Sequence, residues 1–297
     1  MPMASSQRGT TTVPAAPFAK VRGPRLLVPK EHGAYFQLAV PLITALLMGR
    51  ATTSALLFTF SAIAAFLSHE SLLVLIGRRG LRARRENGER ATRWLAILAT
   101  LAFATGAAAW MTAPLGMTVI PLLPLGMAVA VGGLIALRLE RGMFGEILVG
   151  AALASAALPV AWAAGVPPGA AWTAWIGWMI VAGAGTAAVR SIIESNKKPL
   201  FRTTCLIRIA IVAVATFAIA AHWPWAAIAA GPTVALAVAW SAMPPHPRYL
   251  RRVGWTLAAA TLSASVILIA SVKHDPDVRP RIATMGMVVD FRSSRAR

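Results

Sequence analysis

The chain has 297 residues, of which 57% are hydrophobic and 13% charged, and it carries a formal net charge of +19. One soluble core cannot bury that much apolar surface, so a bilayer must take up the excess; the mean hydropathy of +0.66 agrees. The single cysteine, Cys205, excludes an internal disulfide and a thiolate metal cage, and the basic residues show no zinc-ligand spacing, recognition helix or interleaved stacking aromatics that would point to nucleic acid.

Residues 1–27 are rich in Ser, Thr, Pro and Ala and lack the apolar core of a cleavable signal peptide, so a disordered cytoplasmic tail is expected there. Nine apolar segments follow, roughly Gly33 to Met48, Thr52 to Ile76, Trp94 to Met111, Leu115 to Ala136, Met143 to Ala164, Ala171 to Val189, Thr203 to Ala221, Trp225 to Met243 and Tyr249 to Val272. Each approaches the ~20 residues that cross ~30 Å of hydrocarbon as a helix, the conformation that satisfies its own backbone in lipid. The expected fold is therefore all-α: a polytopic membrane bundle of about nine transmembrane helices over residues 28–272, followed by a polar tail over 273–297. The first segment is short and has Pro41 in its middle, which predicts a kinked, tilted or partly re-entrant helix.

Lysine and arginine fall into alternate gaps. Arg8, Lys20, Arg22, Arg25 and Lys30 precede the first segment, and Arg78, Arg79, Arg82, Arg84, Arg85, Arg90 and Arg93 fill the gap after the second. Further cations follow segments four, six and eight, whereas the opposite gaps hold only Arg50 and a cluster of tryptophans, among them Trp110, Trp162, Trp172, Trp223 and Trp225. The positive-inside rule places the basic gaps and the N-terminus in the cytoplasm. An odd number of spans then places the C-terminal tail outside, against the charge of Lys273, Arg279, Arg281, Arg292, Arg295 and Arg297.

Three polar clusters stand on the basic side. Lys30-Glu31-His32-Gly33 opens the first segment; it reads either as a snorkelling collar or as a site, since a carboxylate beside an imidazole at a membrane boundary needs partners. The second cluster begins inside segment two with His69 and Glu70 and continues through Gly77-Arg78-Arg79-Gly80 to Arg90. Glu70 needs a partner at that depth, and Arg78, two helical turns on, is the expected one; Arg82 with Glu86 and Arg85 with Glu89 have the spacing of i,i+4 pairs. The third cluster closes segment six with Arg190, Glu194, Asn196, Lys197 and Lys198 before Pro199 and Arg202, and a self-paired helix end is as consistent with it as a binding site.

Pro29-Lys30-Glu31-His32-Gly33-Ala34, together with His69-Glu70 and Gly77-Arg78-Arg79-Gly80, resembles the YwiC-like family of bacterial integral membrane proteins, from about Val28 to the last span. That resemblance implies a multi-pass protein of the bacterial inner membrane but no defined reaction. The nine helices with polar ends after spans two and six also look like the architecture of UbiA-type intramembrane prenyltransferases, which hold Mg²⁺ and an isoprenyl diphosphate on Asp-rich motifs. This chain departs from that pattern. Its aspartates, Asp275, Asp277 and Asp290, all lie in the terminal tail, which argues against a magnesium clamp.

No cofactor is therefore assigned, Mg²⁺ staying a doubtful alternative because the core has no aspartates, and the function the sequence suggests is binding of an anionic amphiphile, an isoprenoid diphosphate or a lipid headgroup, in a cytoplasmic-side cavity among membrane lipids. The candidate binding residues are Lys30, Glu31, Arg78, Arg79, Arg82, Arg85, Arg190, Asn196, Lys197, Lys198 and Arg202, because guanidinium groups grip phosphate bidentately. The candidates for proton transfer, should a reaction follow, are His32, His69, Glu70 and Glu194. A secondary transporter with a His69–Glu70 relay, or a non-catalytic partner protein, are the alternatives.

Overall fold

The apolar segments fold as helices, and the breaks between them fall where glycine or proline ends the backbone ladder. The computed structural model describes Leu27 and residues 32–113, 119–139, 142–195 and 200–274. In chain order the helices are α1 (His32–Met48), α2 (Thr53–Leu75), α3 (Leu81–Thr112), α4 (Leu122–Ala136), α5 (Met143–Ser155), α6 (Ala157–Ala163), α7 (Pro168–Ser195), α8 (Leu200–Ala220), α9 (Pro224–Ala242) and α10 (Leu250–His274), with no strand among the described residues. Helices α5 and α6 form one apolar stretch, Phe144–Ala163, so the described helices correspond to the nine apolar segments and the all-α membrane bundle stands. Most of the two terminal tails lies outside the described residues.

Pro159 explains the division of that stretch. It has no N–H to return to the Ser155 carbonyl; separately, the Ser155 hydroxyl donates to the Ala152 carbonyl at 2.7 Å. Pro41 does sit inside α1, which nonetheless continues to Met48. Six of the segments are long and apolar enough to cross a membrane; α1, α4 and part of α8 are shorter apolar helices.

Helix α7 is central and packs against α1, α5, α6, α8, α9 and α10. Buried alanines such as Ala184, Ala188, Ala229 and Ala230 let the backbones of α7 and α9 approach closely. Gly183 and Gly185 of α7 make no such close approach: a Cβ built on either meets nothing within 4 Å, and Gly185 lines a cavity. Helices α2 and α3 form a hairpin stitched by Ser54 and Ser61, whose hydroxyls donate to the carbonyls of Ala109 and Ala102 at 2.8 and 2.7 Å. The hairpin joins the rest through α2 on α6 and α1. The outward faces of α3 and α8 expose Phe103, Met111 and Phe217, a surface suited to lipid and not to water.

The two ends of the bundle differ. At the nearly uncharged end, the Arg50 N–H donates to the Ala164 carbonyl at 2.8 Å and the Thr52 hydroxyl to the Ala163 carbonyl at 2.8 Å, latching the α1–α2 loop to the end of α6. Gly49 is required there, since a Cβ would collide with the Ala164 carbonyl. At the charged end, the α2–α3 turn, the start of α5 and the start of α10 converge on one cavity.

Candidate functional site: a cavity with a charged rim

The cavity has a volume of about 840 Å³. Most of its wall comes from α1, α5, α7, α9 and α10, each packed on the next with α10 returning to α1, and His69 and Leu73 of α2 and Ile135 of α4 line it as well. Pro41, Trp178, Val181 and Ala258 make most of it apolar, while His69, Arg78, Arg79, Glu146 and Arg251 line its charged end. Arg251 and Thr261 both line it, and ten residues of helix separate them, so the cavity reaches about 15 Å inward.

The α2–α3 turn aims the arginines. Helix α2 ends in a Schellman motif: Gly77 has φ 81°, its N–H donates to the Val74 carbonyl at 3.1 Å, and the Arg78 N–H donates to the Leu73 carbonyl at 2.9 Å. Gly80, at φ 96°, starts α3. Glycine is needed at both positions because the left-handed region penalises a Cβ. The chain therefore reverses after Leu75, which decides how Glu70 is paired. Arg78 was the expected partner on the assumption of continuous helix, but it is Arg79 that returns to Glu70, with Nε to Oε1 at 2.8 Å and Nη2 to Oε2 at 2.6 Å. The Glu70 side chain is only 10% exposed, and both its oxygens are committed to this bidentate pair. Arg78 also lines the cavity, as does His69.

The second ion cluster joins three sites in sequence. Arg190 donates to both oxygens of Glu146 at 2.6 and 2.7 Å and to Glu194 at 3.1 Å. The i,i+4 pair of Arg190 with Glu194 follows the expected spacing. Glu146 does not figure among the residues the sequence singled out, although one signal pointed to it: an ionisable residue four positions into an apolar segment needs a partner. It stands in the first turn of α5, where the helix dipole favours a carboxylate. Arg251 is the other residue missed. It follows Tyr249, whose ring is flanked by Arg248 and Arg252 at 4.7 and 5.3 Å, and it lines the cavity while pairing with no carboxylate among the described residues.

The remaining candidates lie elsewhere. Arg82 pairs with Glu86 at 2.7 Å as its spacing predicts, whereas Glu89 lies 3.9 Å from Arg93 and not beside Arg85. Arg82 and Arg85 stand on the exposed first turns of α3 and do not line the cavity. Lys30, Glu31, Asn196, Lys197 and Lys198 fall outside the described residues, as do the side chains of His32 and Arg202. Among the described residues no group of three or more His, Cys, Asp or Glu side chains is placed to hold a metal ion.

Comparison with curated proteins and with solved structures found no match, so the likeness to prenyltransferases gains no structural relative. The family match covers α1 to α6 and with them Glu70, Arg78, Arg79 and Glu146, whereas Arg190 and Arg251 lie beyond it. Over residues 28–162 the chain matches the family model described as YwiC-like protein, and its apolar helices make it a multi-pass membrane protein that carries this YwiC-like segment.

Proposed function

We propose that the cavity binds an anionic amphiphile, an isoprenoid diphosphate or a lipid headgroup with its tail, from the cytoplasmic leaflet of a bacterial inner membrane. The observation that carries this reading is the joining of an apolar interior to a rim bearing Arg78, Arg79 and Arg251. Arginine binds phosphate through paired N–H donors, and its charge acts more strongly where water is scarce. The interior, ~15 Å deep by helical rise, offers the tail a matching apolar wall.

In this reading Glu70 and Glu194 are positioning residues. Each holds an arginine and neither is available as a proton carrier while it does so. His69, on the cavity wall, is the side chain suited to move a proton near neutral pH. The test is native mass spectrometry with lipid extraction on the purified chain, comparing wild type with Arg251→Ala and Arg78→Ala. Co-purifying amphiphile with a phosphate head, depleted in both variants, is expected. Bulk phospholipid present equally in all three would sink the reading.

One observation favours transport as the second reading. Pro41 and Pro232 each remove one backbone donor inside α1 and α9, and the α5–α6 stretch divides near Pro159; α1, α5 and α9 line the cavity, and interrupted helices are a feature of transporter sites. Solute flux in proteoliposomes that Glu70→Gln abolishes would establish transport in place of simple binding.

A further inference from the structure

We propose that the headgroup taken by this cavity is zwitterionic, with its phosphate against Arg78 and Arg251 and a cationic amine against Glu146. The inference rests on the amphiphile reading above and narrows the ligand class.

Glu146 is the reason. It lines the same cavity as the arginines, and its side chain is 43% exposed, against 20% for Arg190 and 15% for Glu194. The acid thus opens toward the cavity while the groups behind it are enclosed. Arg190 occupies one site on each Glu146 oxygen, at 2.6 and 2.7 Å, and a carboxylate oxygen accepts more than one hydrogen bond. Acceptor capacity directed at a ligand therefore remains.

A purely anionic head would meet this carboxylate at a cost. Like charges repel strongly in a site of low dielectric, and the first turn of α5, otherwise an attractive place for phosphate, is already occupied by the carboxylate of Glu146. Pairing with Arg190 does not by itself explain the acid, because Glu194 on the same helix as Arg190 reaches that guanidinium at 3.1 Å. An ammonium group resolves both points. It gains the open side of Glu146, while a phosphate a few bonds away gains Arg78 and Arg251. Three elements, the α2–α3 turn, α5 and α10, then each supply one charge to a dipolar head.

The full-length protein, reconstituted from detergent with equimolar phosphatidylethanolamine and phosphatidylglycerol of identical acyl chains, tests this by native mass spectrometry of the retained lipid. Wild type is expected to retain the ethanolamine lipid over the glycerol lipid by about fivefold, equivalent to ~1 kcal/mol. Glu146→Gln is expected to bring the ratio near unity without lowering retention of the glycerol lipid. Glu146→Asp, which keeps the charge, is expected to preserve the preference and so separates loss of charge from loss of fold.

A wild-type protein that retains the two lipids equally, or a preference that survives in Glu146→Gln, overturns the zwitterionic assignment and leaves the amphiphile reading standing. Retention of neither lipid above the bulk composition, unchanged in Arg251→Ala, overturns both.

Discussion

At the scale of single residues, the Glu70–Arg79 pair and Gly49 impose the sharpest constraints. Glu70 is buried and holds Arg79 through both oxygens. Glu70→Gln keeps the shape but removes the charge, and a loss of roughly 1–3 kcal/mol is expected, read as a lower melting temperature in detergent. Arg79→Lys should recover only part of it, because an ammonium cannot make the two parallel bonds. Gly49→Val is expected to reduce the yield of folded protein severely, since the added atoms run into the Ala164 carbonyl and not into a yielding side chain. Fluorescence-detected gel filtration of the expressed variant measures this. The sequence made it clear that Glu70 needs a cation, and it could not name Arg79, because the partner depends on a reversal at Gly77. Glu146 escaped notice because it sits inside a run that reads as apolar, and its partner Arg190 is 44 residues away.

Helix ends set the next scale. Three helices, α2, α4 and α6, close with the same pair of terminal hydrogen bonds, and two of them use glycine at the left-handed position, Gly77 and Gly165. Helix α4 uses Arg138 there, at φ 62°. Arg138→Gly is therefore expected to stabilise the protein by about 1 kcal/mol, visible as a rise in melting temperature. Gly77→Ala is expected to do the opposite and also to weaken retention of the co-purified amphiphile, since the same turn aims Arg78 and Arg79. Helices were legible as spans to within a few residues at most ends, because the hydrophobic run and the helix coincide inside lipid. They diverged at α3, which begins at Leu81 and not at Trp94. Its first three turns are charged, and a helix outside the bilayer needs no apolar run when pairs such as Arg82 with Glu86 lie along it.

The whole molecule has two unlike ends, and that difference was the most legible property of the chain because it depends on counting charges and not on geometry. The positive-inside rule turns it into a test. In a Cys205→Ser background, Arg50→Cys is expected to react with a membrane-impermeant thiol reagent added to intact cells, and Arg84→Cys only after the membrane is opened; the reverse pattern would invert the orientation. A cavity on the basic side was expected, but its walls were not legible. They depend on which helices are neighbours, and α1, α5, α7, α9 and α10 are brought together by packing that no spacing in the chain announces.

The latch between Arg50, Thr52 and the end of α6 has a consequence for the order of assembly. Thr52 and its acceptor Ala163 are 111 residues apart, so the loop after α1 reaches its final place only once α6 has joined the bundle. The α2–α3 hairpin, with bonds of its own, can form before that latch closes.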